Sequence, residues 1–140
     1  MKFWDSSAVI PLILKEAASE KIKLVVKEDE DQVVWWATRV ECLSALARRR
    51  REGKLSVEAE GLAKGLLLAL VKGWSEVLPG ELVRQRTERL LAVHPLRAAA
   101  AFQLAAALIW AEEKPQGLEI VCLVQNLREA ALKEGLEVLP

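Results

Sequence analysis

The chain has 140 residues, 52% of them hydrophobic, which suffices for one substantial core and leaves no room for a second. Lys+Arg number 20 and Asp+Glu number 20, so the formal net charge is zero. That balance excludes a protein that coats nucleic acid through net charge alone, while leaving a local basic patch open. The acids are mostly glutamate, and the only aspartates are Asp5, Asp29 and Asp31.

Cys42 and Cys122 stand far apart in apolar surroundings, without zinc spacing, and read as buried free thiols of a reducing cytoplasm. Met1 runs directly into an apolar segment with an acid at position 5, unlike a signal peptide. The longest apolar stretches, Gly65–Val71 and Ala98–Trp110, are too short or too interrupted to span a bilayer. No membrane association and a cytoplasmic location are expected.

In chain order, Lys2-Phe3-Trp4 reads as a short buried strand ending at Asp5. Ser6 and Ser7 start a helix to about Leu14, with Pro11 near its beginning. Glu16–Lys27 has the pattern of an amphipathic helix, and Glu28–Gln32 of an acidic loop. Val33-Val34-Trp35-Trp36 is β-branched and aromatic, hence a strand. Thr38 caps a predicted helix through Arg51, closed by Gly53, and Ser56 opens another through about Lys72. Trp74–Leu78 reads as a strand and Glu81–Val93 as a helix. A long alanine-rich helix follows from about Leu96 to Glu113. Glu119–Val124 is a predicted strand, Gln125–Glu134 a helix stopped by Gly135, and Leu136–Leu139 a last strand.

Strands alternating with helices imply an α/β fold, a mostly parallel sheet flanked by helices on both faces. Ligands of such sheets bind beyond the carboxyl ends of the strands, near a topological switch point. Asp5 stands at such an end, where its carboxylate either binds a hard cation such as Mg²⁺ or caps the following helix. Glu41 has Ala37, Ser44 and Ala45 beside it on its helix, which suits a cleft wall. The alternative is a solvated glutamate paired with Arg48 or Arg49. On that helix Val40, Leu43 and Ala47 are expected to form the packed stripe.

Arg48 to Arg51 suit a helix C-terminus through its dipole and can also hold phosphates. Trp35 and Trp36 face opposite ways if both lie in a strand, so at most one can reach the cleft to stack a base, and core packing is expected for both. His94, the one histidine, cannot make a metal site alone and is expected to end a helix. Ser6 and Ser7 have no nearby base, and no glycine-rich phosphate loop is present.

Read as a set, these segments resemble the PIN-domain family, particularly its small VapC-like toxin ribonucleases. Phe3-Trp4-Asp5-Ser6-Ser7-Ala8-Val9-Ile10-Pro11-Leu12 is similar to the family's opening strand, first acid and Ser/Thr-rich turn. Val40-Glu41-Cys42-Leu43-Ser44-Ala45-Leu46-Ala47-Arg48 resembles its second-acid helix. His94-Pro95-Leu96-Arg97-Ala98-Ala99 is similar to the approach to its third acid, and Val121-Cys122-Leu123 with Leu127-Arg128-Glu129-Ala130-Ala131 to the flanks of its fourth.

The resemblance implies a Rossmann-like sheet and RNA cleavage with Mg²⁺ or Mn²⁺ held by convergent acids. Carried over, the first acid is Asp5 and the second Glu41, the catalytic and metal-binding candidates. The third position is Ala100, the nearby histidine position is Gln103, and the fourth acid position is Val124. Hydrolysis of a phosphodiester by this chemistry needs a fixed metal and an activated water. The resemblance therefore implies weak or lost endoribonuclease activity, with RNA or partner binding retained. An active ribonuclease using Asp5 and Glu41, and a non-catalytic protein binding an antitoxin or an active relative, are the alternatives. Homodimerisation and a small antitoxin partner are implied by the family.

Overall fold

The computed structural model describes residues 1–140. Five strands form one sheet in the order β3-β2-β1-β4-β5: β1 (Lys2–Trp4), β2 (Gln32–Trp35), β3 (Ser75–Val77), β4 (Glu119–Val121) and β5 (Glu137–Leu139). Every pairing is parallel, with Trp4 opposite both Val34 and Val121. The helices are α1 (Ser6–Ile13), α2 (Ser19–Glu28), α3 (Thr38–Arg51), α4 (Val57–Gly73), α5 (Glu81–Val93), α6 (Ala98–Trp110) and α7 (Gln125–Lys133).

Successive strand residues point to opposite faces, and here both faces are covered. Phe3, Val33 and Ile120 point toward α5, α6 and α7, joining Leu90, Leu104 and Leu127 in one core. Trp4, Val34 and Val121 point the other way, joining Val9, Ile22, Leu46 and Leu67 from α1 to α4. The central strands therefore carry apolar residues on both faces, whereas the edge strands β3 and β5 expose Glu76 and Glu137. The expected α/β class with helices on both faces is what the structure has.

Helix ends follow local chemistry. Gly53 and Gly135 both have positive φ, and the turns they make close α3 and α7. After α7, Leu136 N–H donates to Ala131 O and Gly135 N–H to Leu132 O, each at 3.0 Å. Ser56 caps α4 by accepting from the Ala59 N–H. No single helix is long and apolar enough to cross a membrane.

Several boundaries differ from expectation. Helix α2 begins at Ser19 rather than Glu16, because the Ser19 hydroxyl accepts from Glu16 N–H and donates to Pro11 O at 2.8 Å, fixing a turn before the helix. Pro11 lies in the second turn of α1 rather than at its start. Thr38 does not cap α3: it is the first helical residue and is buried, with Ala37 at the cap. Helix α6 stops at Trp110, since Glu112 and Glu113 adopt positive φ and turn the chain back toward Pro115. Strand β4 ends at Val121, so Cys122-Leu123-Val124 lead away from the sheet.

Candidate active site

The chain order places β1 and β4 side by side, with the rest of the sheet built outward in both directions. That is the switch point, where the loops after two neighbouring strands separate. Beyond the carboxyl ends of β1 and β4 lies a cavity of about 770 Å³, lined by Asp5, Ser7, Glu41, Arg48, Ala100 and Val124 among others.

Asp5 leaves β1 with its N–H bonded to Val121 O at 3.0 Å. It is the N-cap of α1, accepting from the Ser7 N–H at 3.0 Å and from the Ser7 hydroxyl. The Ser7 oxygen in turn accepts from the Leu123 N–H at 2.9 Å. Ser7 thus ties the first acid to the chain leaving β4. This role escaped the sequence reading, which placed no catalytic or bridging function on Ser7.

Glu41 comes from the first turn of α3. It pairs with neither Arg48 nor Arg49; the Gln103 side-chain amide donates to it at 2.6 Å and to the Thr38 hydroxyl at 3.0 Å. Gln103 is fully buried, and its Oε1 has no partner. A single glutamine within the apolar run of α6 was the available signal for this contact. The packed stripe of α3 is Thr38, Cys42 and Leu46, spaced four apart. Val40, expected in that stripe, is 64% exposed instead. Turning α3 this way is what brings Glu41 to the cavity wall.

The electrostatics raise the pKa of both carboxyls here. Burial pushes the Asp5 carboxyl above its ordinary pKa, and the Ser7 hydroxyl and amide bonds oppose that only in part. Burial, then the charge of Asp5, raise Glu41 to about 7, against the hydrogen bond from Gln103. Burial raises both Cys42 and Cys122 to about 12, so these thiols stay protonated and are poor nucleophiles.

A carboxyl with a raised folded pKa binds more protons folded than unfolded, so its contribution to stability falls as pH rises toward that pKa. Glu41→Gln is therefore expected to raise the thermal midpoint, relative to the parent, more at about pH 8 than at about pH 5. Paired melting curves at the two pH values check this; an equal difference at both would contradict it.

The donor set does not fit Mg²⁺ or Mn²⁺ as a resident ion. No third Asp, Glu, His or Cys joins Asp5 and Glu41 in a group able to hold a metal. Ala99, Ala100 and Val124 also line the cavity and offer no metal-ligating side chain. Glu119 lies at the opposite end of β4, paired with Lys2 at 2.5 Å. Cations remain at the rim: Arg49 reaches Glu16 at 2.6 Å and keeps Nη1 buried without an acceptor.

Trp35 is buried and stacks on Phe102, with ring centroids 5.5 Å apart and planes at 5°. Trp36 departs from the expected core position: it lies past the end of β2, its N–H bonds Val77 O, and its side chain is half-exposed. His94 caps the end of α5 as expected and is buried 3.5 Å from Glu134.

An all-parallel five-stranded sheet in this order, with helices on both faces, is a PIN-like fold. Three solved structures share it. VapC20 of Mycobacterium tuberculosis, described as a sarcin–ricin-loop-cleaving toxin, is 16% identical with TM-score 0.69, all of both chains being covered (100% each). FitAcB from Neisseria gonorrhoeae is 13% identical with TM-score 0.69, covering 100% of this chain and 97% of that one. PAE2754 from Pyrobaculum aerophilum is 19% identical with TM-score 0.65, covering 97% and 82%. No family model matches the sequence, and no curated protein matches it. At these identities the likeness speaks for the fold.

Proposed function

We propose that this chain is a VapC-like PIN-domain protein in which metal-dependent RNA cleavage is weak or lost and RNA binding persists along the same cavity. The observation that carries this reading is one cavity lined by Asp5, Glu41, Ala100 and Val124 together with Arg48. Two carboxyls with raised pKa supply less negative charge than an acid cluster and so repel a phosphate backbone less. The exposed Arg48 supplies a donor that suits phosphate oxygens, while Arg49 is held by Glu16.

The same resemblance supports a homodimer and a small antitoxin as partners, and the exposed Leu62, Leu66 and Leu68 on α4 offer apolar surface for such contacts. The reading of an active ribonuclease is favoured by one observation, that Asp5 and Glu41 reach the same cavity. Its weakness is the absence of a third donor beside them.

Fluorescence anisotropy with a labelled single-stranded oligoribonucleotide tests the binding reading. Affinity is expected to fall as salt rises, and Arg48→Ala to reduce the slope of log K against log salt by about 0.7. No measurable binding at low salt would overturn the proposal.

A further inference from the structure

A second cavity, of about 420 Å³, opens beside the first at the ends of β2 and β3. Its walls include Trp35, Trp36, Phe102, Glu81 and Arg84, and Ala37 lines both cavities. The two spaces therefore adjoin at Ala37. The Trp35–Phe102 stack forms a rigid apolar wall, its rings nearly parallel. Trp36 differs: its backbone N–H is fixed to Val77 O at 3.0 Å, while the residue stays 51% exposed. Its indole is thus presented from a pinned backbone. Arg84 at the rim is held by Glu81 at 3.0 Å, which leaves little net charge in the pocket itself.

We infer that this pocket takes a nucleobase of a single-stranded RNA, stacked on Trp36, while the adjoining phosphates run into the cavity that Arg48 lines. The inference rests on the RNA-binding reading above and assigns the base-holding residue within it. Its chemistry is a flat aromatic face in a nearly neutral pocket, next to a cationic rim. A base offers a π face to the first, and its backbone offers charge to the second. Any base has such a face, so the pocket confers affinity with little sequence preference.

The test compares labelled octaadenylate RNA with an abasic ribose-phosphate octamer, against the parent, Trp36→Phe and Trp36→Ala. Melting curves establish that each variant is folded. The parent is expected to bind octaadenylate more tightly than the abasic strand. Trp36→Ala should weaken octaadenylate binding about 5- to 100-fold, Trp36→Phe should keep most of it, and abasic binding should not change. Octaadenylate bound equally by the parent and Trp36→Ala would overturn the inference while leaving RNA binding intact, as would equal affinity of the parent for both strands. That is the outcome if the pocket instead serves an apolar side chain of a protein partner. A parent that binds neither strand would overturn both this inference and the reading beneath it.

Discussion

An Ala100→Asp, Val124→Asp variant is expected to cleave single-stranded RNA in Mn²⁺ at least about 100-fold faster than the parent. Both positions line the cavity that Asp5 and Glu41 line, so carboxylates placed there complete a set of oxygen donors. Val124 is exposed and Ala100 only half-buried, so neither introduced charge is forced into the apolar core. Clustered carboxylates repel one another, and the variant should melt below the parent in the presence of a chelator. Metal then binds only the folded form, stabilising it by about 2.7 kcal/mol at a hundred times the dissociation constant. Cleavage assays and melting curves with and without Mn²⁺ give both readouts. A variant as inactive and as insensitive to Mn²⁺ as its parent would show that the two missing acids are not what separates this cavity from a working one.

Leu104→Ala is expected to cost about 2–5 kcal/mol, read as a lower urea midpoint with an unchanged slope. Leu104 is fully buried on α6, in the core beneath Phe3, Val33 and Ile120. Helix α6 is otherwise rich in small residues, with Ala101, Ala105, Ala106 and Ala107 buried without exposure. These alanines allow close approach of the neighbouring backbone, so Leu104 and Leu108 are the large apolar side chains that the helix buries fully. The neighbours are ordered on both sides, and a cavity there cannot close cheaply. A domain of this size has a total stability of about 5–15 kcal/mol, so the loss is a large fraction of it. Leu62→Ala, on the outer face of α4, should change stability by less than about 0.5 kcal/mol. A cost below about 1 kcal/mol for Leu104→Ala would contradict the packing described here.

The elements were legible because their signals are local. Pro79-Gly80 before α5, Ser56 before α4 and the glycines after α3 and α7 stand at or beside the boundaries the chain uses. The parallel sheet followed from alternation of strands and helices, and Asp5 from its place after the first strand. What escaped was long-range. Residues 62 apart in sequence make the Gln103–Glu41 bond, and residues 116 apart make the Ser7–Leu123 bond. The lone Gln103 in an apolar run marks a buried polar contact without naming its partner, and no local pattern marks the Ser7–Leu123 bond. The α3 stripe was misassigned because Val40 and Leu43 look more apolar than Thr38 and Cys42, and the Gln103 contact rewards burial of Thr38. Trp36 is expected in the core because aromatic strand residues usually lie there. The strand ends one residue earlier, which frees its indole.

Incubation of a mixed RNA pool with Mn²⁺ or Mg²⁺, using folded parent protein and Asp5→Asn in parallel, tests the central claim most directly. The expected result is no cleavage by the parent above that of Asp5→Asn. Metal-dependent cleavage by the parent that Asp5→Asn abolishes would contradict it, and would show that Asp5 and Glu41 suffice for catalysis.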